Sequence, residues 1–383
     1  MRRVDKPIVI ITSPSLNLLG GAQRTCLCTI AALRKRGRKT VLATVDKTDW
    51  ELIKKVFGSI SLPDEEVYLF SNIPKFSILM LKQFFLAFSY ALQLFLIRKN
   101  NATSLIVNMG GELVDTIGDV VYVNAVPVRF LHLLRSKNRR FVNRWIFYSK
   151  LYSIFLKVLG DSANVIVANS KFTQKIVEEF MGKKAVVINP PVNLSELNCY
   201  KDHTRQENIV ITISRFRSEK GLKIIPEIAS YVKDCKFVIV GIADKESKVC
   251  LKELLEEMRR LDVAERVYIY INKPQKSVQK VLRAAKVFLH TQATEAFGIS
   301  IVEAMAQGCV PIVPRMGGPW IDILDGEDGL YGFSYTRPIE AAEKIERLLL
   351  NERLRVEVAE RAKQRAMIFS ETLFSNKIRE LVN

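Results

Sequence analysis

Apolar positions along the chain fall into short, continuous β-branched runs, separated by longer segments in which they recur every three or four residues. In the first half the runs Ile8–Thr12, Thr40–Thr44, Glu66–Phe70, Leu105–Asn108, Val120–Val123, Val165–Ala168 and Val186–Ile188 predict strands. In the second half Ile209–Ile213, Phe237–Val240, Val267–Tyr270, Val287–Leu289 and Val310–Val313 do the same. Runs that do not alternate with polar residues are how parallel strands covered on both faces read. Helical spacing occupies Ala22–Arg36, Lys171–Phe180, Lys248–Leu261 and Ser277–Ala284. Repeated strand–helix units predict an α/β protein built from doubly wound, Rossmann-like sheets.

The pattern fails once. Asn189–Asn208 holds Pro190, Pro191 and mostly polar residues, and neither a helical nor a strand period survives there. That segment reads as a linker. It predicts a first domain over 1–190 and a second over 191–365, with a last helix near Thr372–Val382, inside 366–383, crossing back to the first. Two such sheets are expected to face each other across a cleft, with ligands beyond the carboxyl ends of the strands. A length of 383 residues suits two domains. Composition (48% hydrophobic, 26% charged) excludes a disordered chain, a collagen-like repeat and a small disulfide scaffold.

Charge adds an asymmetry. The formal net charge is +18. Residues 1–200 hold 28 Lys and Arg against 14 Asp and Glu, and residues 201–383 hold 30 against 26. Anionic partners follow, with most of the pull in the first half. Between Val120 and Gly160 stand Arg129, Arg135, Lys137, Arg139, Arg140, Arg144, Lys150 and Lys157, no acid, and seven aromatics from Phe130 to Phe155. Two readings fit: a basic helix with its aromatics turned to a core, or a surface for anionic headgroups. The apolar run Phe76–Ile97 is broken by Lys82; its charge-free part would span roughly 22 Å as a helix, short of a bilayer core. It reads as a buried helix or one dipped into a membrane surface. The six cysteines lack paired CxxC spacing and read as reduced core thiols, and the start MRRVDKPIVIITSPS runs into a strand without a leader pattern. A cytoplasmic protein, possible as a peripheral one on the membrane face, is the expectation.

Three motifs carry chemistry. After the first strand, SPSLNLLGGAQR places Gly20 and Gly21 at a helix start, where backbone N–H groups can meet an anion. After the first strand of the second domain, ISRFRSEKGL supplies Arg215 and Lys220, a guanidinium and an ammonium suited to a diphosphate. The third, TEAFGISIVEAMAQGCVPIVPRMGGP, holds Glu295 and Glu303 eight residues apart. On one helix those two would diverge by roughly 80°, so Glu295 is expected in a loop and Glu303 on the helix that follows. Gly298 permits close backbone approach, and two carboxylates accept well from vicinal hydroxyls. Diphosphate, ribose and sugar together are the parts of a nucleotide-sugar.

At these residues the chain resembles the GT-B glycosyltransferases of family 4, the glycosyl transferases group 1. GGAQR, SRFRSEKGL and EAFGISIVE match in order and approximate spacing, with VANS near residue 170 and FS at 369–370. The resemblance implies a GT-B fold and a retaining transfer of a hexose from a nucleotide-diphosphate sugar to an acceptor hydroxyl, with no metal and no cofactor; no convincing DxD is present. It implies Arg215 and Lys220 on the diphosphate, Glu303 on the ribose, Glu295 on the donor sugar, backbone groups of Phe297, Gly298 and Ile299 nearby, and Gly21 approaching the phosphate. Where many members have a His, after Val120–Val123, Asn124 stands here; it can bind a sugar hydroxyl but cannot act as a base. His132, at helical spacing, reads as structural. A lipid-linked or membrane-proximal glycan is the expected acceptor, and an anionic membrane surface a further partner. The rivals are a nucleic-acid-binding basic protein, against which stands the lack of any reading motif, another GT-B enzyme such as an epimerase or phosphorylase, and a silent partner in glycan assembly. Nucleic acid is not expected as a partner.

Overall fold

The computed structural model describes residues 8–74, 79–101, 104–125, 150–194 and 207–382. The chain divides into two compact units, Met1–Pro191 with Glu371–Asn383, and Val192–Ser370. Most of the basic–aromatic segment lies outside the described residues, with His132, His203, Cys199 and much of the linker segment.

The first unit runs β1 (Val9–Ser13), α1 (Gly21–Arg34), β2 (Thr40–Asp46), α2 (Trp50–Phe57), β3 (Glu65–Phe70), α3 (Leu79–Asn100), β4 (Leu105–Asn108), β5 (Val120–Val123), a helical stretch α4 (150–159), β6 (Val165–Ala168), α5 (Lys171–Met181) and β7 (Ala185–Val187). All seven strands are parallel, in the order β3-β2-β1-β4-β5-β6-β7. Alternate residues feed opposite faces. Val9 and Ile11 join Leu27, Ile30 and Leu33 of α1, while Ile10 joins Tyr90 and Leu94 of α3 and Tyr152 and Leu156 of α4. That alternation, with both sets buried, is why β1 reads as a continuous apolar run. From Leu79 on, the apolar run is a core helix, packed through Phe84, Leu86, Ala87, Tyr90, Ala91 and Leu94, while 76–78 lie outside the described residues. Among the described residues no helix is long and apolar enough to cross a membrane.

The second unit runs β8 (Ile209–Ile213), α6 (Ile225–Tyr231), β9 (Lys236–Gly241), α7 (Lys248–Arg260), β10 (Val267–Ile271), α8 (Gln275–Ala284), β11 (Val287–Leu289), α9 (Ile299–Ala306), β12 (Val310–Pro314), β13 (Phe333–Tyr335), α10 (Pro338–Leu350) and α11 (Glu352–Ala366). Its six parallel strands take the order β10-β9-β8-β11-β12-β13. Val210, Phe237 and Ile239 face α6, α7 and α10; Ile211, Val238 and Val240 face α8, α9 and α11. The sequence pattern does not predict β13, a three-residue strand behind Gly332.

The last helix, α12 (Glu371–Leu381), packs on α1, with Phe374, Ile378 and Val382 in the first unit's core. It starts later than residue 366: Ala366 and Phe369 are buried in the second unit, and Val192 N–H donates to Phe369 O at 2.9 Å. The cysteines Cys26, Cys28, Cys235, Cys250 and Cys309 are free thiols, all buried except the partly covered Cys28. Burial pushes Cys26 up to about 12, the behaviour of an inert core thiol.

Candidate functional site

Both sheets have a switch point, where the strand order reverses and the loops after two neighbouring strands diverge to leave a crevice. In the second unit it lies between β8 and β11. The loop after β8 carries Arg215 and Lys220; the loop after β11 carries Glu295. The structure joins two of these three. Lys220 Nζ donates to Glu295 Oε2 at 2.8 Å and to Gln292 Oε1 at 2.6 Å. Both charged side chains remain partly open, 17% and 21% exposed. An ammonium has three donors, so Lys220 keeps one for a ligand. Arg215 is exposed, with no ion-pair partner among the described residues.

Close backbone packing fixes these loops. Gly221 has φ +67°, and a Cβ there would stand 2.9 Å from Thr291 O; the Thr291 hydroxyl in turn donates to Lys220 O at 2.6 Å. Gly317 and Gly318, after β12, press on the Glu295 loop. A Cβ on Gly318 would lie 2.0 Å from Ala296 O, and Gly318 N–H donates to Glu295 O at 2.9 Å. Glycine is required here because any side chain would occupy the space of the neighbouring backbone.

Glu295 sits in the loop and Glu303 on α9, as the eight-residue spacing predicts. Gly298 caps α9 at φ +103° without a side-chain hydrogen bond; its carbonyl accepts from Ile301 N–H at 3.0 Å. Ile299 is the first residue of that helix. Phe297 is buried against Phe369, ring centroids 5.2 Å apart, so only its backbone can face a ligand. Burial by itself would raise the Glu295 carboxyl, but Lys220 above all, then His290 and the Ala296 amide, bring it below the usual carboxylate range. His290 is driven the other way. Burial lowers it to about 4, against the pull of Glu295, so it stays neutral at physiological pH, with Nε2 unpartnered among the described residues.

In the first unit the switch point lies between β1 and β4. Gly20 N–H donates to Gln23 Oε1 at 2.9 Å, so this amide is already taken; Gly21, the first residue of α1, is exposed. Asn124, at the end of β5, donates from Nδ2 to Met109 O at 2.7 Å.

Several site residues escape the sequence reading. Gln292, Thr291 and His290 lie in the same loop as Glu295 and hold or flank Lys220; their polar character between β11 and α9 was the available signal. Arg217, two residues after Arg215, is engaged structurally, with Asp244 at 2.6 Å and Glu246 at 3.0 Å. Glu112, behind Gly110 and Gly111 at the end of β4, was marked by the same glycine punctuation as the recognised motifs.

Two tandem doubly wound parallel sheets of this order define the GT-B architecture, the two-domain scaffold of one large class of glycosyltransferases. The sucrose-phosphate synthase of Thermosynechococcus elongatus superposes with a TM-score of 0.76 over 98% of both chains at 14% identity, which establishes the fold. Residues 201–365, which contain Arg215, Lys220, Glu295 and Glu303, match the family described as "Glycosyl transferases group 1". Among curated proteins, the chain is 26% identical over 274 residues to a "GDP-Man:Man(3)GlcNAc(2)-PP-Dol alpha-1,2-mannosyltransferase" of Dictyostelium discoideum, covering 65% of this chain and 54% of the relative. The Homo sapiens protein of the same description is 22% identical, over 97% of this chain and 85% of its own. The chain thus spans about half the length of the Dictyostelium relative.

Proposed function

We propose that this protein is a retaining, metal-independent family 4 glycosyltransferase that moves a mannosyl residue from GDP-mannose to a hydroxyl of a lipid-linked glycan. The observation that carries the reading is the Lys220–Glu295 pair joining the loops of β8 and β11 at the second sheet's switch point. In this reading Lys220 and the exposed Arg215 take the charge that builds on the diphosphate as the glycosidic bond breaks. Cations fixed before the reaction supply that stabilisation without reorganising. Glu303 and the backbone at Phe297, Gly298 and Ile299 hold the ribose and phosphate side, and Glu295 the mannose. The names of the relatives support the donor and the acceptor class.

A second observation supports a membrane-bound acceptor. On α4, Leu151, Ile154 and Val158 form a stripe at helical spacing, with Ile154 60% and Val158 78% exposed, and Lys150 and Lys157 exposed on the same helix. Apolar side chains with flanking lysines suit an anionic bilayer surface, and the reading places the protein peripherally on the cytoplasmic membrane face.

The test is transfer by the purified chain from GDP-mannose or UDP-glucose to a lipid-linked oligomannoside, with EDTA present and absent, and NMR of the product's anomeric carbon. Mannose transferred with retention, unaffected by EDTA and abolished in Glu303→Ala, is expected. Release of free epimerised sugar-nucleotide, or full activity of Glu303→Ala, refutes the assignment.

A further inference from the structure

The two sheets share one plan around their switch points, and the acids that follow the strand beyond each are held differently. In the second unit the strand beyond the switch point, β11, is followed by a loop whose acid, Glu295, is neutralised by Lys220. In the first unit the corresponding strand is β4, and the loop after it also carries an acid, Glu112. Glu112 has no cation within ion-pair distance among the described residues. Its carboxyl accepts from its own amide and from Asn124, whose N–H stands 3.4 Å from Oε2 and whose side chain also bonds the carboxyl.

The loop that presents Glu112 is held rigidly. A Cβ on Gly110 would stand 2.6 Å from Tyr90 Cε1 and 2.7 Å from Pro14 Cδ, and one on Gly111 would stand 2.7 Å from Tyr122 O. The loop is therefore wedged against the end of β1, α3 and β5. Beneath it the fully buried Asn108 accepts from Gly110 N–H at 2.9 Å and from the Tyr90 hydroxyl at 2.7 Å. Its amide donates to Val114 O and Ile117 O, each at 2.8 Å. This support holds Glu112, a partly covered residue, at the ligand-binding end of the sheet; its carboxyl accepts from its own amide and from the Asn124 backbone and side chain, which leaves one of a carboxylate's roughly four acceptor positions. A carboxylate with a spare lone pair and no cation is matched by hydroxyl donors.

We propose that Glu112, flanked by Asn124, is a sugar-binding residue whose carboxylate accepts a hydrogen bond from a pyranose hydroxyl. The proposal rests on the glycosyltransferase reading and adds to it the group in the first unit that grips the carbohydrate. The hydroxyl belongs to the terminal sugar of the acceptor. Burial pushes the Glu112 carboxyl up to about 7, with its own amide and Asn124 working against the rise. The other titratable group coupled to it is the Tyr90 phenol on α3, itself raised by burial and therefore neutral throughout; Asn124, from β5, carries no charge. The accepting form is the carboxylate, so binding tightens as pH rises through that value.

The experiment measures binding by the full chain. Saturation-transfer NMR follows methyl α-mannoside, the acceptor-end probe, and calorimetry follows GDP and GDP-mannose, for wild type, Glu112→Gln and Glu112→Asp at pH 6 and pH 8. A charged hydrogen bond is stronger than a neutral one, so roughly tenfold weaker sugar binding, about 1.4 kcal/mol, is expected in Glu112→Gln. The pH dependence should vanish in Glu112→Gln and persist in Glu112→Asp. Weakened binding of methyl α-mannoside, with GDP binding unchanged, is the result that supports the assignment. Unchanged binding of methyl α-mannoside in Glu112→Gln, with an unaltered thermal transition, overturns the proposal. Failure of wild type to bind GDP instead overturns the glycosyltransferase reading, whatever Glu112 does.

Discussion

Replacing Lys220 by Met keeps most of the side chain's volume and removes its charge. Two hydrogen bonds disappear, one of them to a carboxylate that is about one-fifth exposed. Hydrogen bonds to charged groups contribute about 1.5–3 kcal/mol, and stranding one partner of a fully buried pair costs about 3–5. With both groups partly solvated, a loss of about 2 kcal/mol near neutral pH is expected for the second unit, roughly a thirtyfold rise in its opening. The pH dependence is the sharper reading. In the wild type Glu295 lies below its unfolded value, so it contributes stability that is complete above the unfolded pKa and lost as pH falls through the folded one. Without Lys220 the desolvation of Glu295 dominates, its pKa rises above the unfolded value, and its contribution becomes a cost that grows as pH rises. The gap between the proteins should therefore widen from pH 4 to pH 8 and close toward pH 3. Hydrogen exchange across residues 287–306 measures this within the unit concerned, avoiding the assumption that a two-unit chain melts in one step. A gap independent of pH, or a Lys220→Met protein as stable as wild type at pH 8, would refute the reasoning.

Arg215→Ala should leave stability within about 0.5 kcal/mol, since the side chain is exposed and has no ion-pair partner among the described residues, while weakening GDP binding about tenfold or more by calorimetry. Gly318→Ala places a methyl 2.0 Å from Ala296 O, so the Glu295 loop has to move; a lowered thermal transition with loss of GDP binding is expected, and a wild-type melt would contradict the packing described. Ile154→Glu with Val158→Glu should abolish flotation with anionic liposomes at low salt while leaving transfer to a short water-soluble acceptor intact.

The central parallel strands, such as β1, β5, β8 and β12, are legible in the sequence because burial on both faces leaves them uninterrupted apolar runs. β13 is not, since three residues between Gly332 and Thr336 carry no period. The placement of Glu295 in a loop and Glu303 on a helix follows from helical geometry applied to their spacing. The engagement of Arg217 is invisible in the sequence, because Asp244 and Glu246 lie 27 and 29 positions further on and meet it only through the pairing of β8 with β9. The fit of Gly318 under Ala296 is equally a tertiary fact. Gly110, Gly111 and Glu112 form a small local signal that acquires meaning only once the strand order places β4 beside β1.

The membership of α12 in the first unit has a consequence for how the protein is made. The strands of that unit emerge from the ribosome first, yet Phe374, Ile378 and Val382 of their core come after the whole stretch Val192–Ser370. At typical elongation rates of about 5–20 residues per second, the earlier half waits on the order of ten to forty seconds for its closing helix. The inserted domain completes its own core in that interval and becomes the finished half of a half-finished molecule. A premature stop just beyond Ser370 would for the same reason injure the domain translated first and spare the one translated second.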